Sequence, residues 1–414
     1  MQGSSVRWLR PPDVMLCSGY YTDKMALQKT ISFILLILIG VLLKKKLKDK
    51  EQLGGVKILI LSIALPATIF VALLKIKIDS SLLFLPLLAL VFNVIMLLAA
   101  RFMLPQFGIR KDSADSRTIM LLLPSLAPGL SCFPFILEYL GEESLARAAL
   151  TDVGNKVFVL ILLYLLAMQW YYTRRRRLQG DDNTEAVSTK SRLKDLMVSL
   201  VREPVNMVIV TALVMLGFGW NLDSLPLFLQ DSVVRMSVLM TPMVLLFIGM
   251  AVKFQKAEMA LIFKLLSFRA GLAFLLSALF LTFVPAATPA AILLAIVFPQ
   301  SACSFWPFAH MSAVSALESE DAAKARHKEG EPTFQLDLAL NTLALSLPFS
   351  TLIILSIFSL NEFFLTSWHT ALVGLGFLVI AAVPGLYAML RPKEGTEVKS
   401  EPKISIRQLS EVER

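Results

Sequence analysis

Two apolar stretches rich in proline and hydroxyl residues hold the positions best suited to chemistry. The first reads Leu122-Leu123-Pro124-Ser125-Leu126-Ala127-Pro128-Gly129-Leu130-Ser131-Cys132-Phe133-Pro134-Phe135, and the second Phe298-Pro299-Gln300-Ser301-Ala302-Cys303-Ser304-Phe305-Trp306-Pro307-Phe308. Aligned on the last proline, Ser131 matches Ser304, Pro134 matches Pro307 and Phe135 matches Phe308, with a further proline upstream in each. A proline inside a helix removes a backbone donor and displaces a carbonyl one turn earlier. Several in one apolar segment leave unwound backbone that lipid cannot satisfy, so it must line protein or a cavity. The chemistry this offers is capture of a carboxylate by free amides and half-helix dipoles. The competing reading is a pair of ordinary proline kinks, against which the matched positions weigh.

A polar group follows each stretch: Asp152, Asn155 and Lys156 after the first, Asp337 and Asn341 after the second. The four-residue spacing puts Asp152 with Lys156, and Asp337 with Asn341, on one helix face. Ionisable residues within membrane helices usually face the bundle interior, although Asp152 and Asp337 also read as solvated helix ends. For an anion, the candidate binding residues are Ser131, Pro134, Asp152, Asn155, Lys156, Ser304, Pro307 and Asn341; for a coupling ion, they are Gln300 and Asp337. Arg269 is buried if the eighth span begins at 260, whereas a start nearer 267 puts it at the cytoplasmic interface beside Lys264, where it snorkels; the second reading is favoured. His310 offers a proton shuttle, but a lone histidine in an apolar helix reads rather as a hydrogen-bonded packing residue. No phosphate-cradling loop, metal-ligand cluster or nucleophile constellation is present, which points away from an enzyme and from cofactors or metals.

The elements that position these residues are membrane helices. The chain has 414 residues, 56% hydrophobic and 17% charged, with a mean hydropathy of +0.69, outside soluble composition. A helix needs about 20 apolar residues to span hydrocarbon. Eleven stretches qualify, at 27–45, 56–76, 80–104, 117–139, 146–171, 204–221, 232–252, 260–284, 289–316, 335–360 and 364–390. The net charge of +9 comes from basic clusters flanking spans, such as Lys44–Lys46 and Arg174–Arg177, so it orients the chain in a bilayer and does not signal nucleic acid. The same rule puts the N-terminus outside and the C-terminus in the cytoplasm of a cell membrane. Cys17, Cys132 and Cys303 are too scattered for a disulfide framework. Met25 is an alternative start.

The expected organisation is an N-terminal extracytoplasmic segment 1–25, a five-helix repeat 26–171, a cytoplasmic linker 172–203, a second five-helix repeat 204–360, an extra transmembrane helix 361–391 and a cytoplasmic tail 392–414. Two five-span halves lie in opposite orientations, as in inverted-repeat transporters. The fold class is therefore an all-α integral membrane protein with an inverted 5+5 repeat, broken crossing helices 4 and 9, and one additional helix.

Further motifs sharpen this: Leu61-Ser62-Ile63-Ala64-Leu65-Pro66-Ala67-Thr68-Ile69-Phe70, Leu140-Gly141-Glu142-Glu143-Ser144-Leu145-Ala146, Asp152-Val153-Gly154-Asn155-Lys156 and Leu246-Phe247-Ile248-Gly249-Met250. The chain resembles the auxin efflux carrier family, including its bacterial malate permease-like members, over roughly 26–360. The resemblance implies ten spans as two inverted repeats, a scaffold and a transport domain, and a homodimer. It carries the crossover prolines onto Pro134 and Pro307 and the fifth-span polar cluster onto Asp152 and Asn155. Phe305 and Trp306 depart from the small polar residues usual there, and the eleventh span is extra. The function expected is gradient-driven transport of a small organic anion, with H+ or Na+ as coupling ion. The alternatives are a sodium-coupled symporter of the bile acid carrier type and a non-transporting receptor or scaffold.

Overall fold

Apolar segments of this length must fold as helices, because hydrocarbon offers no partner to an exposed backbone N–H or C=O. The computed structural model describes residues 13–44, 46, 50–75, 84–179, 204–251, 259–284, 288–325 and 331–390. Among them every regular element is helical. Six helices are long and apolar enough to cross a membrane: Gln52–Leu74, Phe84–Phe107, Phe133–Arg176, Leu227–Ala251, Met259–Phe283 and Leu336–Ser359. Shorter apolar helices cover Gln28–Leu43, Pro204–Gly217, Pro289–Gln300 and Ser367–Ala382. The regular structure of the described residues is thus all helical, with the composition of a membrane-embedded protein. Most of the linker 172–203 and the tail 392–414 lie outside the described residues.

The first half contains α1 (Asp13–Leu43), α2 (Lys50–Leu59), α3 (Leu65–Leu74), α4 (Phe84–Met103), α5 (Ala114–Leu122), α6 (Pro128–Ser131), α7 (Phe133–Val157) and α8 (Leu163–Gln179). Helix α1 begins at Asp13, well ahead of the expected residue 27. A π-turn, Ile60–Ala64, joins α2 to α3 just before Pro66, which cannot donate to the helical ladder. A second π-turn, Phe158–Leu162, joins α7 to α8 directly after Lys156. The second half contains α9 (Pro204–Gly217), α10 (Leu227–Val238), α11 (Met240–Ala251), α12 (Met259–Phe283), α13 (Pro289–Val297), α14 (Trp306–Ala325) and α15 (Leu336–Ser359), followed by α16 (Asn361–Phe364) and α17 (Ser367–Leu390).

Two packing groups emerge. In the first, α1 lies on α11, and α3 lies on α9 and α10. In the second, α4 packs on α7, α5 on α15, α8 on α14 and α12 on α13, with α17 covering α12. The groups meet where α3 touches α7 and α1 touches α15. Beyond the apolar packing, ion pairs from Arg174 to Glu318 and from Arg175 to Asp321 tie α8 to α14.

The helical stretch that opens at Phe133 is not one straight rod. Gly141 sits at φ 81°, ψ −179°, which splits α7 into two arms and separates the expected spans 117–139 and 146–171. That backbone region is open essentially to glycine alone. Nothing lies within 4 Å of where its Cβ would be, so the cost of a side chain there is purely conformational. Gly141→Ala is expected to destabilise the protein by about 1–3 kcal/mol, read as a lowered melting temperature in detergent.

Candidate functional site

The two proline-bearing stretches are irregular where the sequence suggests, and they touch. Helix α5 ends at Leu122 and regular helix resumes only at Pro128. In the other half, α13 and a 3-10 turn end at Gln300, and α14 begins at Trp306. Between these ends the segments 123–127 and 301–305 lie side by side. The Ala127 amide donates to the Ala302 carbonyl at 2.8 Å, the Ala302 amide to Ser131 Oγ at 2.9 Å, and the Ser304 amide to Ser125 Oγ at 3.0 Å. Ser131 is therefore partnered with Ala302, and Ser304 with Ser125; the two aligned serines do not meet.

The remaining backbone groups are satisfied by side chains from neighbouring helices. Asn155 treats the Leu126 peptide as a strand would: its Oδ1 accepts from the Leu126 amide at 3.1 Å and its Nδ2 donates to the Leu126 carbonyl at 2.9 Å. The Cys303 amide donates to Ser346 Oγ of α15. Most consequential is Arg269 of α12, only 3% exposed. Its Nε donates to the Leu123 carbonyl at 2.8 Å, and one terminal nitrogen donates to the carbonyls of Ser301 at 2.6 Å and Ser125 at 3.3 Å. The expectation that Arg269 snorkels at an interface is corrected. Helix α12 starts at Met259, which carries residue 269 into the protein, where a planar fork can serve three carbonyls at once.

This network also corrects the picture of free amides waiting for a carboxylate, since the amides of Leu126, Ala127, Ala302, Cys303 and Ser304 all have protein acceptors. Pro134 and Pro307 each stand within the first two residues of a helix, α7 and α14. The missing N–H has no intrahelical partner at that position in any case. They start helices rather than interrupt them, and their replacement returns no helical hydrogen bond.

Beside Asn155 lies a buried ion pair. Asp152 and Lys156, both under 10% exposed, approach to 3.6 Å one turn apart. Asp152 accepts from Asn155 Nδ2 at 2.8 Å, and Lys156 donates to Asn206 of α9 at 3.2 Å. The reading of Asp152 as a solvated helix end is thereby set aside. Asn93 of α4 donates to Asn155 Oδ1 at 3.0 Å. It can reach because Gly154 lets α7 press against α4: a Cβ there would lie 1.8 Å from the Pro86 carbonyl oxygen.

The second half does not mirror this cluster. Asp337 is exposed in the first turn of α15, where a carboxylate complements the helix dipole in solvent, so it does not line the site. Asn341 is half-buried, and no hydrogen bond joins it to the network. Gln300 is buried and donates to the Ala270 carbonyl at 3.2 Å, while its Oε1 has no donor among the described residues. His310 is a packing residue as expected, its Nε2 2.9 Å from the Val159 carbonyl and its ring edge-on to Tyr164.

Asp152 and Lys156 cancel, and among the described residues no carboxylate lies within ion-pair distance of Arg269. Among the described residues, the contact between the two segments therefore holds one positive charge that no carboxylate offsets. Ser346 and Asn206 were not singled out by the motif pattern; the available signal was a polar residue set in an apolar run. No family model matches the chain, and no curated protein matches its sequence.

Proposed function

We propose that the chain is a secondary transporter that moves a small organic anion across a membrane by alternating access, with the anion drawn to the contact between segments 123–127 and 301–305. The observation that carries this reading is Arg269: a buried guanidinium, spent on three carbonyls of both segments, whose charge no carboxylate among the described residues offsets. In a low-dielectric interior such a charge favours an anion and disfavours a cation. In this reading residues 26–171 and 204–360 are two inverted repeats, the irregular segments are the crossing points of two broken helices, and the positive-inside rule sets the N-terminus outside. The resemblance to auxin efflux carriers supports the same arrangement.

A sodium-coupled symporter is the second reading, favoured by Gln300, whose buried Oε1 is an acceptor with no donor among the described residues. Purified protein in sealed vesicles separates the readings. Saturable uptake of a labelled carboxylate is expected, driven by an imposed pH or sodium gradient. Dependence on sodium alone selects the symporter, and no saturable uptake of any carboxylate under either gradient overturns the transport reading.

A further inference from the structure

We propose that α17, the helix additional to the ten spans that the resemblance implies, positions Arg269, and that Gly374 is the residue through which it acts. Its backbone at Gly374 supports α12 from behind at Gly271 and so holds the guanidinium fork on the carbonyls of segments 123–127 and 301–305. The proposal rests on the reading of Arg269 above and deepens it by naming what sets the place of that side chain.

Gly271 follows Arg269 by two residues, which places it about 200° further around the helix axis. The side of α12 that carries Gly271 is therefore turned away from the side that carries the fork. On that rear side α12 and α17 meet backbone to backbone. A Cβ on Gly271 would lie 2.8 Å from the Gly374 carbonyl oxygen, and a Cβ on Gly374 would lie 2.9 Å from the Gly271 carbonyl oxygen. Both glycines are buried. Helices in lipid gain little from hiding apolar surface, so they associate where small residues let backbones come this close.

The contact is keyed against rotation as well as separation. Phe274, buried in α12 less than one turn beyond Gly271, stacks on Phe364 of α16 with centroids 5.9 Å apart and on Phe377 of α17 at 5.8 Å. Leu378 closes over Gly271, its Cγ 3.0 Å from where a Cβ would be. On the other side of Arg269, Phe268 shares a buried apolar cluster with Ala381 of α17 and Ala100 of α4. Helix α12 is thus gripped on both sides of residue 269. Three carbonyls served by one planar fork need its depth and plane kept within hydrogen-bond limits, and a helix free to roll or withdraw would not keep them.

The test uses the full-length protein and a graded pair of variants. Gly374→Ala sets a single Cβ against Gly271, and Gly374→Leu adds a branched side chain that clearances of 2.9–3.1 Å to Gly271, Phe274 and Leu275 cannot hold. The readout is the rate at which N-ethylmaleimide alkylates Cys303, followed by mass spectrometry of the labelled peptide. Cys303 is buried two residues beyond Ser301, whose carbonyl the fork holds, and buried Cys132 is the internal reference. The Cys303 rate should rise from wild type through Gly374→Ala to Gly374→Leu, reaching about tenfold or more, the loss of about one charge-assisted contact, while Cys132 stays slow. In Arg269→Lys, where the fork is already gone, Gly374→Leu should add little. In vesicles, KM for a carboxylate should rise with Vmax largely kept.

An unchanged Cys303 rate in Gly374→Leu overturns the positioning role, and so does an equal rise at Cys132, which would report general loosening. A full further rise in the Arg269→Lys background also overturns it, because Gly374 would then act other than through the fork. If the leucine variant does not fold, Gly374→Ala decides alone: a rise at Cys303 of about twofold or more supports the role, and none overturns it. The labelling result stands whether or not the protein transports. Graded Cys303 rates with no uptake of any carboxylate would keep the positioning role and sink the anion reading, and saturable uptake with unmoved Cys303 and KM would do the reverse.

Discussion

Replacing Arg269 by methionine is expected to abolish saturable anion uptake and to lower stability by several kcal/mol. The side chain donates to the carbonyls of Leu123, Ser125 and Ser301. Without it these acceptors are buried with no replacement donor, at about 1–3 kcal/mol each. Against a folded-state margin of about 5–15 kcal/mol that is a large loss, so Arg269→Lys is the informative companion. Lysine keeps the positive charge but offers a point donor in place of the fork. It should therefore fold, melt below wild type, and transport with a raised KM. Melting curves in detergent and vesicle uptake read the two effects separately. Wild-type uptake in the methionine variant would remove Arg269 from the site.

The second large effect is expected at the ion pair. Breaking a buried pair by removing one partner costs about 3–5 kcal/mol, because the survivor keeps its desolvation penalty without its counter-charge. Lys156→Met strands Asp152 in this way and also cancels the net positive charge of the crossing, so both stability and uptake should fall. Asp152→Asn strands Lys156 but can still accept from Asn155. The double variant removes both charges at once and should recover most of the stability, a coupling of about 2 kcal/mol or more in a double-mutant cycle. Uptake should follow the charge balance and return in part. Additive losses would show that the two side chains do not act as a pair.

How far the molecule is legible in its sequence differs from residue to residue. The helical class follows from hydropathy alone, and the interruptions at 123–127 and 301–305 follow from clustered prolines. Lys156 stands out because an ionisable residue so far inside an apolar run needs a partner, and Asp152 one turn away is that partner. Arg269 was misplaced for the opposite reason. Its distance from the membrane surface depends on where α12 begins, and a boundary shift of a few residues changes an interfacial side chain into a buried one. The destinations of the orphaned backbone groups were not legible, because Asn155, Ser346 and Arg269 come from three helices far apart in the chain. Asp337 and Asn341 show the limit of reading one half from the other: the spacing of Asp152 and Lys156 recurs in type, yet α15 begins at Leu336 and leaves Asp337 in its first turn.

The hydrogen bonds between the two irregular segments have a mechanical corollary. Shearing 123–127 away from 301–305 would break the Ala127–Ala302, Ser131–Ala302 and Ser125–Ser304 contacts and split the Arg269 fork in the same displacement. Bonds that fail only together make their bearers a cooperative unit, so in the transport reading proposed above the segments would move together with α7, α12 and α14. Any relative motion in that reading would fall at the seam where α3 touches α7 and α1 touches α15.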